Sequence, residues 1–338
     1  MAGASRAWSG EFCQPELISW DMDKKQEPVT AVRLLRIEPE DEGQRIDNYL
    51  MRQLKGVPRS RIYRILRRGE VRVNRGRIKP GYKLKAGDQI RVPPVRLPAI
   101  PDNRLPATGF SDLARLILFE DEQLLILNKP AGMAVHGGSG VSQGVIEALR
   151  ATRPEAHFLE LVHRLDRDTS GCLIIAKRRS MLRALHEMMR NGTIEKHYLA
   201  LVMGQWEGGK RAVDAPLDRN LLRGGERLVR VARDGKPSRT KLKPVSIFNK
   251  ASLMDISLDT GRTHQIRVHA AHIGHPLAGD QKYGDPSFNQ EMKACGLRRL
   301  FLHAHSLAFT RPGNDNELHI SAPLDAELHG VLECLESS

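Results

Sequence analysis

The sequence contains few cysteines and no long apolar run. Its 338 residues include four cysteines, none of them in a CxxC pair, which argues against a disulfide framework and a cysteine-rich zinc site. No apolar segment approaches the roughly 20 residues that span a bilayer. The first 30 residues have neither an apolar signal core nor an arginine-rich amphipathic pattern. We therefore expect a cytoplasmic protein with no membrane-spanning segment.

Acidic side chains are nearly absent from one segment of the chain. Residues 51–100 contain 15 Lys or Arg against two acids, and the net charge of the whole protein is +13. The rest of the chain is therefore electrically neutral. A segment of this kind indicates binding to a polyanion by phosphate neutralisation and counterion release. The alternative is a solvated basic surface that binds nothing. At this point the polyanion is RNA, DNA or an anionic membrane.

The apolar spacing around the basic segment predicts a small α+β domain. Residues 46–54 have helical spacing, and a second helix is expected to begin at Ser60 and end at Gly69. Alternating apolar residues over 71–73 and 90–92 predict short strands. Positions i, i+3 and i+7 place three guanidinium groups on one flank of the second helix: Arg61, Arg64 and Arg68.

Prolines mark a boundary between two domains. Five prolines between residues 93 and 106 predict a semi-extended linker, because proline interrupts both a helix and a central strand. Beyond the linker, patterns typical of short strands and of helices are mixed. The expected organisation is a disordered extension over 1–30, the basic domain over 31–92, the linker over 93–110, a larger mixed domain over 111–328 and a tail over 329–338.

Two patterns for phosphate and metal binding are incomplete. Residues 204–210 match the start of a P-loop, but Arg211 stands where a Ser or Thr hydroxyl has to bind magnesium. His186 and Glu187 begin an HExxH pattern, but Arg190 occupies the second ligand position. No metal site is therefore expected.

A short pattern typical of serine hydrolases, GxSxG, occurs at residues 140–144. In such hydrolases the serine directly follows an apolar strand. Ser142 instead follows a glycine-rich loop. A serine hydrolase is therefore kept only as an alternative, and it would require Ser142 to matter.

The segment LVHRLDRDTSG at residues 161–171 holds two carboxylates flanked by arginines. Thr, Ser and Gly complete a tight turn before an apolar strand, so the arginines can hold carboxylate charge at the edge of a sheet. An ion-paired structural loop is the alternative. The segment resembles the HRLDxxTSG signature of the RluA-type pseudouridine synthases, in which the aspartate after Arg-Leu is catalytic. The resemblance points to Asp166 and not to Asp168.

The resemblance extends over several further segments in the same order. Residues 128–136 resemble NKPxGxxVH, residues 196–200 resemble the segment with the active-site tyrosine, and residues 261–269 resemble GRTHQIRxH. The matching tyrosine is Tyr198. Arg267 stands at the position of the arginine that pairs with the catalytic carboxylate.

The basic segment shares in this resemblance. Residues 45–47, 71–74 and 87–88 resemble the S-four RNA-binding domain, named after a ribosomal protein, so the likeness covers residues 32–325. Within the family it is closest to the RluC branch. The implied fold class is α+β: a small basic S-four-like α+β RNA-binding domain, joined by the proline-rich linker to a larger mixed, mainly antiparallel-sheet catalytic domain.

The resemblance implies isomerisation of uridine to pseudouridine in RNA. Because the reaction has no net redox change and adds no external group, no cofactor is expected. Asp166 would act as a nucleophile or as a base at the ribose, with its pKa lowered by Arg267. Tyr198 would stack on the uracil and assist removal of the proton on carbon five. The implied binding residues are Arg164, in the gap left by the flipped base, and the phosphate-contacting Arg61, Arg64 and Arg68.

The implied partner is large-subunit (23S) ribosomal RNA or its precursor particle. The enzyme would be a monomer and would not act at a membrane. Its target uridines would lie near the peptidyl transferase centre. The same chemistry on another ribosomal or transfer RNA is one alternative, and a non-catalytic ribosome assembly factor is another. Intact Asp166, Tyr198 and Arg267 argue against the assembly factor.

Overall fold

The computed structural model describes residues 31–54, 57–95, 113–137, 143–223, 226–314 and 316–337. The chain divides into two compact units, Met1–Asn103 and Arg104–Ser338, and the division falls within the proline-rich segment. The extension expected over 1–30, most of the linker and Ser142 lie outside the described residues. No helix in the described part of the chain is long and apolar enough to cross a membrane.

The N-terminal unit combines two helices with a four-stranded antiparallel sheet of order β1-β4-β2-β3. Its elements are β1 (Arg33–Arg36), α1 (Ile46–Gln53), α2 (Arg59–Arg67), β2 (Arg72–Val73), β3 (Gly76–Arg77) and β4 (Gln89–Val92), with a 3-10 turn at Pro39–Asp41. The apolar faces of the helices pack on the sheet, and the core includes Ile46, Leu50, Ile62, Ile65 and Leu66. The small α+β domain expected from the spacing is confirmed.

The second helix differs at its start from the prediction. It begins at Arg59, Pro58 occupies the N-cap position, and no side chain caps the helix. The proline already fixes the backbone at the helix entrance, so Ser60 lies inside the first turn and does not cap it. The predicted end is confirmed, because Gly69 follows Arg68 with a left-handed φ of +68°.

The larger unit is built on a ten-stranded sheet. The order along its main path is β10-β13-β14-β9-β15-β8-β6-β5, with β16 paired to β15 and β7 paired to β8. The pairing of β8 with β15 is parallel, and the other recorded pairings are antiparallel. The strands are β5 (Ile117–Glu120), β6 (Leu124–Lys129), β7 (Glu160–Leu161), β8 (Ser170–Ala176), β9 (Glu195–Met203), β10 (Arg211–Asp214), β13 (Arg239–Ile247), β14 (Ala251–Leu258), β15 (Leu302–Thr310) and β16 (Glu317–Ser321). The mainly antiparallel sheet is confirmed.

Among the described residues, five helices and a separate hairpin complete this unit. The hairpin pairs β11 (Leu217–Arg223) with β12 (Glu226–Val231). The helices are α3 (Val145–Thr152), α4 (Arg179–Asn191), α5 (Gln265–His272), α6 (Pro286–Ala294) and α7 (Ala326–Glu336), and a 3-10 turn spans Leu113–Leu116.

The central strands are buried on both faces, which explains their continuous apolar runs. On β6, Leu125 and Leu127 join one core cluster with residues of α3 and α5. Leu124 and Ile126 point to the opposite face and pack with residues of α4. The core thus has a layer on each face of β6 and β8, and β6 ends and β8 begins beside the loop that contains Asp166.

The tail expected over 329–338 is wrong for nearly its whole length, because α7 extends to Glu336. Asp325 caps this helix by accepting a hydrogen bond from the Leu328 amide at 3.0 Å. Leu328 and Val331 are fully buried in a core cluster with α6. Their spacing of three residues gives the segment an apolar face, and this face makes it part of the folded unit.

Candidate active site

Asp166 lies in the loop between β7 and β8, and the end of that loop is fixed by a close approach of two strands. Gly171 pairs with Ala304 of β15, and its φ is +106°. A Cβ atom at this position would lie 2.2 Å from the carbonyl oxygen of Ala304. Glycine is therefore required, and the strand leaves the loop in one register. On its other side, Ala304 pairs with Tyr198 of β9, so β15 joins the segments that hold Asp166 and Tyr198.

A buried lysine holds the same loop from the other side. The Lys129 side chain at the end of β6 is fully buried and donates to the carbonyls of Pro130, Met133 and Arg167 at 2.8, 2.9 and 3.1 Å. The amide of Gly132 also donates to the Arg167 carbonyl at 2.9 Å. Burial lowers the pKa of Lys129 to about 7. These contacts of Lys129 give a structural role to the Asn-Lys-Pro sequence at residues 128–130, to which the sequence analysis assigned none.

Tyr198 lies on β9 with 9% of its surface exposed. Burial raises the pKa of its hydroxyl, and the charge of Asp166 adds to this effect. The phenol therefore remains protonated at neutral pH, and its ring lies in the same cavity as Asp166.

Arg267 has a different partner from the one expected. Its Nε and Nη2 atoms donate to the two carboxylate oxygens of Asp280, each at 2.7 Å. The Asp280 side chain is fully buried, so its charge needs a buried cation next to it, and Arg267 on α5 supplies that cation. The direct pair with Asp166 predicted from the sequence is thus replaced by a pair with Asp280. Burial opposes the charge of Arg267, but the hydrogen bonds and charge of Asp280 raise its pKa, with Asp166 contributing at longer range.

Sequence reasoning missed the residue that lies beside Asp166. His264 Nε2 is 3.7 Å from the Asp166 Oδ2 atom, and His264 Nδ1 is 2.8 Å from the Tyr283 hydroxyl. Burial lowers the pKa of His264. The guanidinium of Arg267 lies over the Tyr283 ring, 5.0 Å from its centroid. The signal was present, because His264 stands within the GRTHQIRxH segment at residues 261–269.

These groups share one cavity of about 110 Å³. Its lining includes Arg164, Asp166, Tyr198, His264 and Arg267. The structure thus brings together the three predicted catalytic residues and the arginine expected to fill the place of the flipped base. Arg164 is exposed at the edge of the cavity.

A basic trough adjoins the cavity. It has a volume of about 780 Å³ and shares Arg164, Asp166, His264 and Arg267 with the cavity. Its further cationic side chains are Arg167, Lys282, Arg298 and Arg299. A polyanion that enters this trough meets positive charge on the way to Asp166.

The other predicted binding residues belong to the N-terminal unit. Arg61 and Arg64 line a cleft of about 480 Å³ with Pro58 and Ser60 at the start of α2. Arg68 is exposed and lies 3.9 Å from Glu70. The first two arginines therefore share one surface, and Arg68 lies further along the helix.

No group of three or more metal-ligating side chains occurs among the residues that the structure describes. The buried imidazole of His269 makes hydrogen bonds with both ring nitrogens, to the Thr240 hydroxyl at 2.8 Å and to the Ala215 carbonyl at 2.9 Å. The cavity presents carboxylate, guanidinium, imidazole and phenol groups of the chain.

A basic RNA-binding module and a carboxylate cavity beside a basic trough define an RNA-modifying enzyme. A family model described as RNA pseudouridylate synthase matches residues 123–272, and a model described as S4 domain matches residues 44–90. The chain belongs to the RNA pseudouridine synthase family. The family, the enzyme class and the RNA-binding domain expected from the sequence are confirmed.

Similar proteins point to one branch of this family. The chain is 57% identical over 316 residues to "Ribosomal large subunit pseudouridine synthase C" of Pasteurella multocida, covering 92% of the chain and 97% of the relative. It is 54% identical over 310 residues to the protein of the same name from Escherichia coli K12, with coverages of 90% and 96%. Among solved structures, "Human RNA Pseudouridylate Synthase Domain Containing 4" matches with a TM-score of 0.56 and 27% identity, over 67% of this chain and 95% of that chain. The RluC branch expected from the sequence is confirmed.

Proposed function

We propose that the chain converts uridines of 23S ribosomal RNA near the peptidyl transferase centre to pseudouridine, with Asp166 as the catalytic carboxylate and without a cofactor. The observation that carries the proposal is the convergence of Asp166, Tyr198 and Arg267 on one cavity beside a basic trough. The names of the relatives support a large-subunit ribosomal RNA as the substrate.

The reaction is an isomerisation in which atoms are conserved. The bond between N1 of uracil and C1′ of ribose breaks, the base turns, and a bond from C5 to C1′ forms. The proton on C5 leaves, and N1 gains a proton. Asp166 acts as a nucleophile or as a base at the ribose, and either role needs an ionised carboxylate. The Arg267 guanidinium and the His264 imidazole line the same cavity as Asp166.

Tyr198 provides the aromatic surface for the extruded uracil. Its ring lines the cavity at the centre of the sheet, where two adjacent strands hold its backbone. The Tyr198 hydroxyl stays protonated. It can therefore accept the proton from C5 only when it donates its own proton to another group. Stacking therefore needs the ring, whereas proton transfer also needs the hydroxyl.

The arginines divide the work of RNA binding. Arg164 is exposed at the cavity and takes the place of the flipped base within the RNA stack. Arg61, Arg64 and Arg68 neutralise phosphates and locate structured RNA among many competitors. We expect the enzyme to act as a monomer. A ribosomal substrate supports action in the cytoplasm.

The test is to map pseudouridines made in an unmodified 23S transcript by carbodiimide labelling and primer-extension stops. Wild type should produce stops, and Asp166→Ala should produce none. Asp168→Ala is the matched control, because it removes an exposed carboxylate two residues away in the same loop. Equal stops from wild type and Asp166→Ala would reject the proposed carboxylate.

The alternatives have distinct outcomes in the same assay. Stops in transfer RNA or at other ribosomal positions would keep the chemistry and change the substrate. If wild type modifies neither transcript nor precursor particles, a non-catalytic assembly factor becomes the better explanation.

A further inference from the structure

His264 occupies an unusual backbone position at the entrance of α5. Its φ is +52° and its ψ is 21°, a left-handed conformation that is uncommon outside glycine, although asparagine, aspartate and histidine adopt it more often than other residues. Such a conformation persists where surrounding contacts fix it. Asparagine would satisfy the backbone more easily. The contacts of the His264 side chain show what holds it in this position.

The two ring nitrogens of His264 face different groups. Nδ1 is 2.8 Å from the Tyr283 hydroxyl, and Nε2 is 3.7 Å from Oδ2 of Asp166. The Tyr283 oxygen also accepts a hydrogen bond from the Val229 amide at 3.1 Å. These contacts form a chain from the base of the β11–β12 hairpin to the catalytic carboxylate.

The chain of contacts sets where the ring proton lies. Among the described residues, the hydroxyl proton of Tyr283 has one acceptor, which is His264 Nδ1. A neutral imidazole that accepts at Nδ1 carries its proton on Nε2. Burial lowers the pKa of His264 and raises the pKa of Tyr283, so both side chains are neutral at pH 7. The Nε2–H group therefore points toward Asp166.

We propose that His264 is a positioning residue whose Nε2–H holds the Asp166 carboxylate ionised and oriented, with Tyr283 fixing the tautomer. The proposal rests on the proposed catalytic function of Asp166. The present separation of 3.7 Å is longer than a hydrogen bond. Catalytic hydrogen bonds are often long before substrate binds, and a movement of about 0.7 Å would complete this one.

Other charged groups also act on this pair. Those that influence His264 are Asp166, Arg267, Lys282 and Asp280, besides the hydrogen-bonded Tyr283. Those that interact electrostatically with Asp166 are His264, Arg267, Lys129 and Tyr198. Lys129, with its pKa of about 7, is retained in every variant below. A difference between two His264 variants therefore does not come from Lys129.

Two substitutions separate positioning from folding. His264→Asn suits the left-handed backbone and reaches only as far as Nδ1, so it keeps the Tyr283 contact and loses the donor to Asp166. His264→Gln places an amide N–H at about the reach of Nε2. Single-turnover rates at saturating RNA are measured between pH 5 and 8. We expect His264→Asn to lose about tenfold in rate with RNA affinity unchanged within about twofold, and His264→Gln to stay within about threefold of wild type.

The pH profile provides the second readout. Hydrogen bonds to the charged form of a carboxylate favour that form, so the donor lost in His264→Asn should count most at low pH. The ratio of rates at pH 5 and pH 7 should therefore fall in His264→Asn and remain at the wild-type value in His264→Gln. A residue that only supports the fold would lower both variants alike and leave this ratio unchanged, which would overturn the proposal.

The tautomer is measurable without activity. Two-bond proton–nitrogen spectra of the full chain with ¹⁵N-labelled histidine should show His264 protonated at Nε2, assigned by its loss in His264→Asn. Tyr283→Phe should mix or reverse the tautomer. A wild-type ring protonated at Nδ1 would overturn the proposal. Asp166→Ala distinguishes the proposed function from the role of His264. If Asp166→Ala is active, the proposed function fails. If Asp166→Ala is inactive and His264→Asn has the wild-type rate and pH dependence, only the role of His264 is overturned.

Discussion

The buried ion pair between Arg267 and Asp280 should couple the stability of the larger unit to its activity. The Arg267 side chain is 8% exposed and the Asp280 side chain 0%. Removing one member of such a pair leaves an uncompensated buried charge and typically costs about 3–5 kcal/mol. We therefore expect Arg267→Met and Asp280→Asn each to destabilise the larger unit by about this amount. For a unit of this size, the loss corresponds to a fall in Tm of about 6–20 °C.

The double variant is the decisive measurement. It removes both charges, so its free energy of unfolding should be no lower than that of either single variant, and the two single losses should not add. Urea unfolding of the four proteins gives the coupling energy. If the two losses sum within about 0.5 kcal/mol, Arg267 and Asp280 do not act as a pair and the reasoning is refuted.

Activity separates the second function of Arg267. Because its side chain is nearly buried, Arg267 contributes little to phosphate binding. At a temperature where each variant is folded, Arg267→Met should lower the single-turnover rate much more than the RNA affinity. The double variant should regain stability without regaining activity. A folded double variant with wild-type turnover would show that the Arg267 charge is not needed at Asp166.

Three further predictions address other residues. Tyr198→Phe should bind RNA normally and retain uracil stacking while product formation slows, and full activity would dismiss a proton-transfer role for the hydroxyl. His163 accepts a hydrogen bond from the Ile174 amide at 3.1 Å, and burial lowers the pKa of His163 to about 3. Below pH 6.5 the unfolded chain therefore binds more protons than the folded chain. The free energy of unfolding should fall as the pH drops from 6.5 toward 3. His163→Gln, which retains an acceptor, should remove up to about 1.4 kcal/mol per pH unit from this dependence between pH 6 and 5, and an unchanged slope would mean that His163 is not neutral in the fold. Arg64→Ala should reduce the slope of log affinity against log salt by about 0.7–0.9, and an unchanged slope would remove Arg64 from the phosphate contacts.

The helices and strands of the N-terminal unit follow closely from its sequence pattern. The left-handed Gly69 and the alternation in β2 and β4 are local features, and local physics is sufficient to predict them. The start of α2 at Arg59 was missed because Ser60 has the chemistry of a capping residue, whereas the chain enters the helix at Pro58, whose ring fixes φ and which makes no side-chain cap. The C-terminal helix was missed because its apolar face is buried against α6, which is distant in sequence.

The candidate site was predictable in its residues and less so in its partners. Asp166, Tyr198 and Arg267 were found from motif order, and the structure places them in one cavity. The partner of Arg267 was not predictable, because the choice between Asp166 and Asp280 depends on which carboxylate is buried beside the guanidinium. The position of His264 beside Asp166 depends on a left-handed residue at a helix entrance, which no periodic pattern reveals.

The position of β15 in the sheet has a consequence for biosynthesis. This strand comes late in the chain, yet it lies between β8, which follows the Asp166 loop, and β9, which carries Tyr198. A nascent chain that has not yet released residues 302–310 lacks the strand that joins them. Asp166 and Tyr198 cannot take their final separation until that late segment has left the ribosome and inserted. Synthesis order therefore delays the first turnover until almost the whole polypeptide has been made.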